Sequence, residues 1–193
     1  MKERELFLLS DAALRYVIDS ITPDQLELLV PEGWVRIPDA TLLDVVAAHA
    51  YDEAFVPDML AGRTVEEVDD KYGGDLLAGD PLAAYDALND AATVAINRAI
   101  DPEDIAHLSY GDFPVPVYFQ HVSVYRAFQA WSIAKLIGLD FHLRPELVDA
   151  LWEQIVPQAE DWRAMGVFGP AIEVPADSDR ETRLLALTGY WRE

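Results

Sequence analysis

The chain has 193 residues, 51% apolar and 25% charged, which suits one domain with a real core and excludes a disordered chain. Thirty-five acidic residues against 14 basic ones leave a formal net charge of −21, which repels phosphate backbones and anionic lipid and argues against nucleic acid or a membrane surface as partner. The absence of cysteine excludes disulfides, thiolate metal sites and a cysteine nucleophile, and fits a reducing cytoplasm.

Helical periodicity dominates. Residues 4–20, "RELFLLSDAALRYVIDS", place Leu6, Leu9, Ala13, Tyr16 and Val17 at three- and four-residue spacings, and this apolar patch is too short for a signal peptide. Thr22, Pro23 and Gln25 read as the cap and first turn of a short helix. Pro31, Gly33 and Pro38 predict an irregular connection to a second long helix, capped by Asp39 or Thr41 and ending near Gly62. Pro57 lies inside that helix and is expected to kink or split it near Glu53. After a loop with at most one helical turn, Asp80 and Pro81 open a third helix.

"HLSYGDFPVPVYF" reads as a turn because of Gly111, Pro114 and Pro116. A fourth helix is predicted from about Pro116 to Ile137, closing at Gly138, and a fifth from Pro145, interrupted by Pro157. One short extended piece and a last short helix complete the tail. No apolar run is long enough to cross a bilayer. The expected fold is all-α: a single domain over residues 1–193, with a four-helix-bundle core at about 4–138 and a helical C-terminal extension at about 139–193.

Within "DVVAAHAYDEAF", residues 44–55, His49 stands alone among alanines and valines, on the face that an amphipathic helix would bury. Glu53 follows one turn later. On the fourth helix His121, Tyr125, Gln129 and Ser132 form one polar stripe at spacings of four, four and three. A lone histidine and a polar stripe on another helix can build a pocket in a bundle core, or can satisfy one another as core hydrogen-bond partners. His121 lies two turns, about 11 Å, before Gln129, which sets it apart from the layer of the others. His107 and His142 are expected to be exposed or structural.

The order and spacing of several stretches resemble the DinB-like superfamily, in particular the metal-binding N-terminal domain of mycothiol-dependent maleylpyruvate isomerase and its stand-alone relatives. The stretches are "ITPDQLELLVPEGW", "LLDVVAAHAYDEAF", "GRTVEEVDDKYGGDLLAGDPLAAY", "HLSYGDFPVPVYF", "QAWSIAKLIGLD" and "GVFGPAIEVPADSDRETRLLALTG". The resemblance implies a DinB-like four-helix bundle with three metal ligands: a histidine on the second helix, and a carboxylate and a histidine four apart on a later one. His49 matches the first. Tyr125 stands at the carboxylate position, Gln129 at the second histidine, and Ser132 at a following aspartate. The resemblance implies a metal-dependent, thiol-assisted enzyme, but phenol and amide are weak ligands for zinc or nickel, so these departures from the family pattern imply a degenerate site at His49 with no cofactor expected.

Three functions follow as expectations. The first is a domain that binds a small molecule, or serves as a scaffold, around a decayed metal site. The second is an active isomerase or S-transferase, in which zinc or nickel activates a low-molecular-weight thiol such as mycothiol. The third is a structural homodimer formed through bundle faces.

Overall fold

The helical periodicity is realised in α1 (Glu3–Asp19), α2 (Leu42–Leu60), α3 (Val65–Val68), α4 (Pro81–Ile96), α5 (Val115–Ile137), α6 (Pro145–Ile155), α7 (Ala159–Ala164) and α8 (Arg180–Thr188). The computed structural model describes residues 2–68, 71–98 and 101–190. Its contacts sort the chain into two compact units, residues 15–119 and residues 1–14 with 120–193.

In residues 15–119, Thr22 and Pro23 open a 3₁₀ turn, Pro23–Glu27, in which the Thr22 amide donates to Gln25 Oε1 at 2.9 Å. Thr41, rather than Asp39, caps α2: its amide donates to Asp44 Oδ2 at 2.7 Å. Pro57 does not split α2, which runs as one helix to Leu60. Proline removes the hydrogen bond to the Glu53 carbonyl. But Glu53, Ala54, Phe55 and Val56 are all buried, so packing on every side of that turn holds the helix across the defect.

Asp80 Oδ1 accepts from the Ala83 amide at 3.2 Å and starts α4. α2 and α4 pack together, with Val45, Val46, Ala50 and Met59 of α2 and Ala92 and Ile96 of α4 buried. Arg15 ties the end of α1 to α4: Nε lies 3.0 Å from Asp86 Oδ1, and Nη1 lies 2.5 Å from Asp90 Oδ1.

The all-α expectation needs one correction. The stretch read as a turn is a β-hairpin, β1 (Ile105–Leu108) and β2 (Gly111–Pro114), antiparallel, with Ile105 opposite Pro114 and Leu108 opposite Gly111. Gly111 reverses the chain at φ +136°, a backbone conformation that side chains rarely adopt. Each strand has four residues, and proline is tolerated where it stands, at the strand's end. Turn signals and strands this short are hard to tell apart in sequence.

In residues 1–14 with 120–193, the start of α1, the body of α5, and α6 and α8 share one apolar core. Leu6, Val124, Ala127, Phe128, Trp131, Leu147, Leu151, Ile155, Leu184 and Leu185 are all buried in it. Segment 139–190 is therefore built into the same core as α5. Pro157 ends α6 in a 3₁₀ turn, Val156–Gln158, that leads into α7.

α8 closes at Gly189, with φ +79°. A Cβ there would stand 2.9 Å from the Pro170 carbonyl oxygen and 3.0 Å from Gly169 Cα, so only glycine fits. Arg163 clasps the same place, with Nε donating to the Gly169 carbonyl at 3.1 Å and Nη2 to the Leu187 carbonyl at 2.6 Å.

Candidate functional site

The site begins with the spacing on α2. Residues four apart share a helix face, so His49 and Glu53 lie one above the other, and neither has any exposed surface. Val46, Ala50 and Val56 beside them are equally enclosed. An imidazole and a carboxyl group are costly to bury unless other polar groups meet them. The buried stripe of α4, the helix packed on α2, repeats the pattern: Tyr85 and Asn89 are four apart, with Ala92 and Ile96 completing the face. Asn89 Oδ1 accepts from Arg15 Nη1 at 3.2 Å, which brings one guanidinium to the polar end of this face. Residues 15–119 thus enclose four polar side chains on two packed helices: His49, Glu53, Tyr85 and Asn89.

The stripe on α5 is divided by burial. Gln129 and Ser132 are buried, whereas Tyr125 and His121 are partly exposed. Gln129 Nε2 is enclosed and meets no hydrogen-bond acceptor among the described residues. His121 lies edge-on to Trp162, with ring centroids 6.0 Å apart, and burial holds its pKa below the usual histidine value. The other two histidines serve local structure. His107 Nδ1 is 2.8 Å from Asp112 Oδ1 across the hairpin, and His142 Nδ1 is 2.7 Å from Glu181 Oε2.

These residues do not fit a transition metal. Among the described residues, no group of three or more histidine, cysteine, aspartate or glutamate side chains is placed to hold an ion. Within residues 15–119, His49 and Glu53 are two donors on one helix, fewer than the three or more protein ligands a transition-metal site uses.

Sequence reasoning passed over two features. One is the Tyr85–Asn89 pair on α4, whose signal was a four-residue polar spacing inside an alanine-rich helix. The other is the ion pair of Asp11 and Arg126, with Arg126 Nη1 2.5 Å from Asp11 Oδ1 and both residues at least 97% buried. The guanidinium carbon also lies 4.4 Å from the centre of the Phe7 ring. Its signal was a lone acid in "LLSDAAL" and a lone base in "VSVYRAFQAW", each a single charge in an apolar stretch. No protein-family model, no curated protein and no solved structure matches this chain.

Proposed function

We propose that this chain is a DinB-like helical-bundle protein that acts by binding a small molecule rather than by metal-dependent catalysis. The observation that carries this reading is the pair His49 and Glu53, fully enclosed one turn apart on α2, without a third metal-ligating side chain placed to complete a site among the described residues. A buried histidine and carboxylate need polar partners in a core that apolar residues could fill. Their retention in a helix otherwise rich in alanine and valine is what a polar pocket floor, or the remnant of a ligand layer, would leave behind. The charge of −21 favours a small organic ligand over nucleic acid.

The test is metal analysis and zinc titration of tag-free protein, with His49→Ala beside it. The parent is expected to hold far less than one equivalent of zinc or nickel. If the parent already binds one equivalent and His49→Ala abolishes it, the thiol-dependent isomerase or S-transferase becomes the better account.

A further inference from the structure

Within residues 15–119, Leu29 lies opposite Thr41 in an isolated antiparallel β-bridge. The Val30 amide donates to the Ala40 carbonyl at 3.0 Å, and the Leu42 amide donates to the Leu28 carbonyl at 2.8 Å. Bonds that flank a pair in this way turn the pair's own N–H and C=O groups outward, away from each other. On the Thr41 side both groups are used: the amide donates to Asp44 Oδ2 at 2.7 Å, and the carbonyl accepts from the Val45 amide at 3.3 Å. On the Leu29 side the amide and the carbonyl meet no hydrogen-bond partner among the described residues, and Leu29 is 66% exposed. The open edge stops at Pro31, which has no N–H and whose carbonyl accepts from the Trp34 amide at 3.3 Å. Two more apolar side chains stay exposed beside the bridge, Leu28 before Leu29 and Leu43 after Leu42. The charges along this stretch are one-sided. Asp24, Glu27, Glu32 and Asp39 stand exposed against Arg36 alone.

We propose that this edge takes up a strand from a partner protein: an extended, basic segment with an apolar residue opposite Leu29. An exposed strand edge is a template for such pairing. One residue of the incoming strand can exchange both hydrogen bonds with Leu29, which fixes the register and sets its side chain on the same face as the leucine. Basic residues on either side of it meet the surrounding carboxylates. The same carboxylates select against other occupants. A second copy of this chain would set Glu27 and Glu32 against their own like, and an anionic membrane surface would be repelled. The site is built from groups other than His49 and Glu53, so it stands or falls independently of the small-molecule reading above.

The experiment is a ¹H–¹⁵N NMR titration of the full chain, at physiological salt, with a short end-capped peptide of alternating lysine and valine. Saturable shifts are expected at the amides of Leu28, Leu29 and Val30, and the Leu29 amide is expected to gain protection from hydrogen exchange. The same peptide N-methylated at its valines keeps every charge but cannot donate to the Leu29 carbonyl. It is expected to bind about five- to tenfold more weakly. The peptide with glutamate in place of lysine is expected not to bind. Leu29→Ala is expected to weaken binding about two- to fivefold, whereas Val94→Ala, at an exposed apolar residue of α4, leaves it unchanged. Retained spectral dispersion verifies that the variants fold, and the N-methylated peptide needs no variant. The proposal is overturned if the N-methylated or the glutamate peptide binds as tightly as the first, if the shifts miss residues 28–30 or do not saturate, or if both variants weaken binding equally. Protection of Leu29 that grows with protein concentration, without peptide, would put a second copy on the edge and overturn it too.

Discussion

Substituting asparagine for Asp11 tests the ion pair inside residues 1–14 with 120–193. The change keeps the shape and one acceptor oxygen but removes the negative charge 2.5 Å from the Arg126 guanidinium, a group only 1% exposed. Breaking a buried pair from one side costs about 3–5 kcal/mol, because the remaining charge is desolvated and uncompensated. The retained amide oxygen offsets about 1 kcal/mol of this. The Phe7 ring face, 4.4 Å from the guanidinium carbon, is present in both proteins and cancels. The expected loss is therefore about 2–4 kcal/mol, a large part of the roughly 5–15 kcal/mol that holds a typical domain. For a chain of this size it corresponds to a fall in Tm of roughly 4–16 °C. Urea titrations followed by far-UV circular dichroism measure it directly. The companion variant, Asp11→Leu with Arg126→Met, removes both charges and fills the space with apolar atoms, and is expected to lose less than Asp11→Asn alone. The reasoning is refuted if the single variant loses under about 1 kcal/mol, or if the double variant is the less stable of the two.

Two histidines should titrate in opposite directions. His142 has its pKa raised, first by its hydrogen bond to Glu181, so its contribution to stability is fully present below about pH 6.5 and is lost as pH rises through its folded value. The group is largely exposed, so the effect on stability is small, and the direct measurement is the NMR titration of His142, whose midpoint should fall in Glu181→Gln. His121 has its pKa lowered by burial, so it favours the fold above about pH 6.5 and loses that contribution as pH falls through its folded value; a midpoint for its ring above that of a free histidine would contradict this. Finally, a formal charge of −21 makes the chain self-repelling, so moderate salt should raise its thermal midpoint, and a steady fall over the same range would argue against that.

Helices and their caps were largely legible because their signals are local. Pro81, Gly138 and Pro145 mark α4, α5 and α6 within one or two residues, since proline and glycine act on the backbone where they stand. Pro57 shows the limit of the same rule. Its effect on α2 depends on how tightly the surrounding turn is packed, and four consecutive residues do not reveal that all four are buried. The hairpin was missed because its pairing is set by contacts between strands too short to show a period. For the candidate site, burial of His49 was readable from its apolar neighbours. The same signal, a single charge in an apolar stretch, marks Asp11 and Arg126, but spacing does not say that the two meet. The placement of Tyr85 and Asn89 on the helix that packs against α2 is a tertiary fact that no spacing within one helix contains.

The junction of Gly169 with Gly189 also changes what the connecting segment between them is for. Leu184 and Leu185 anchor α8 in the core, Arg163 grips the carbonyls of Gly169 and Leu187, and the two glycines meet backbone to backbone. Residues 171–177, by contrast, are mostly exposed, and their amide of Ile172 is spent on the Ala186 carbonyl at 2.9 Å. Both ends of this loop are thus held by contacts that do not require the chain between them to be continuous. A protease cutting within residues 173–177 would sever a covalent link without dislodging α8, and the nicked protein would behave as a two-piece complex whose smaller fragment is retained by its own helix.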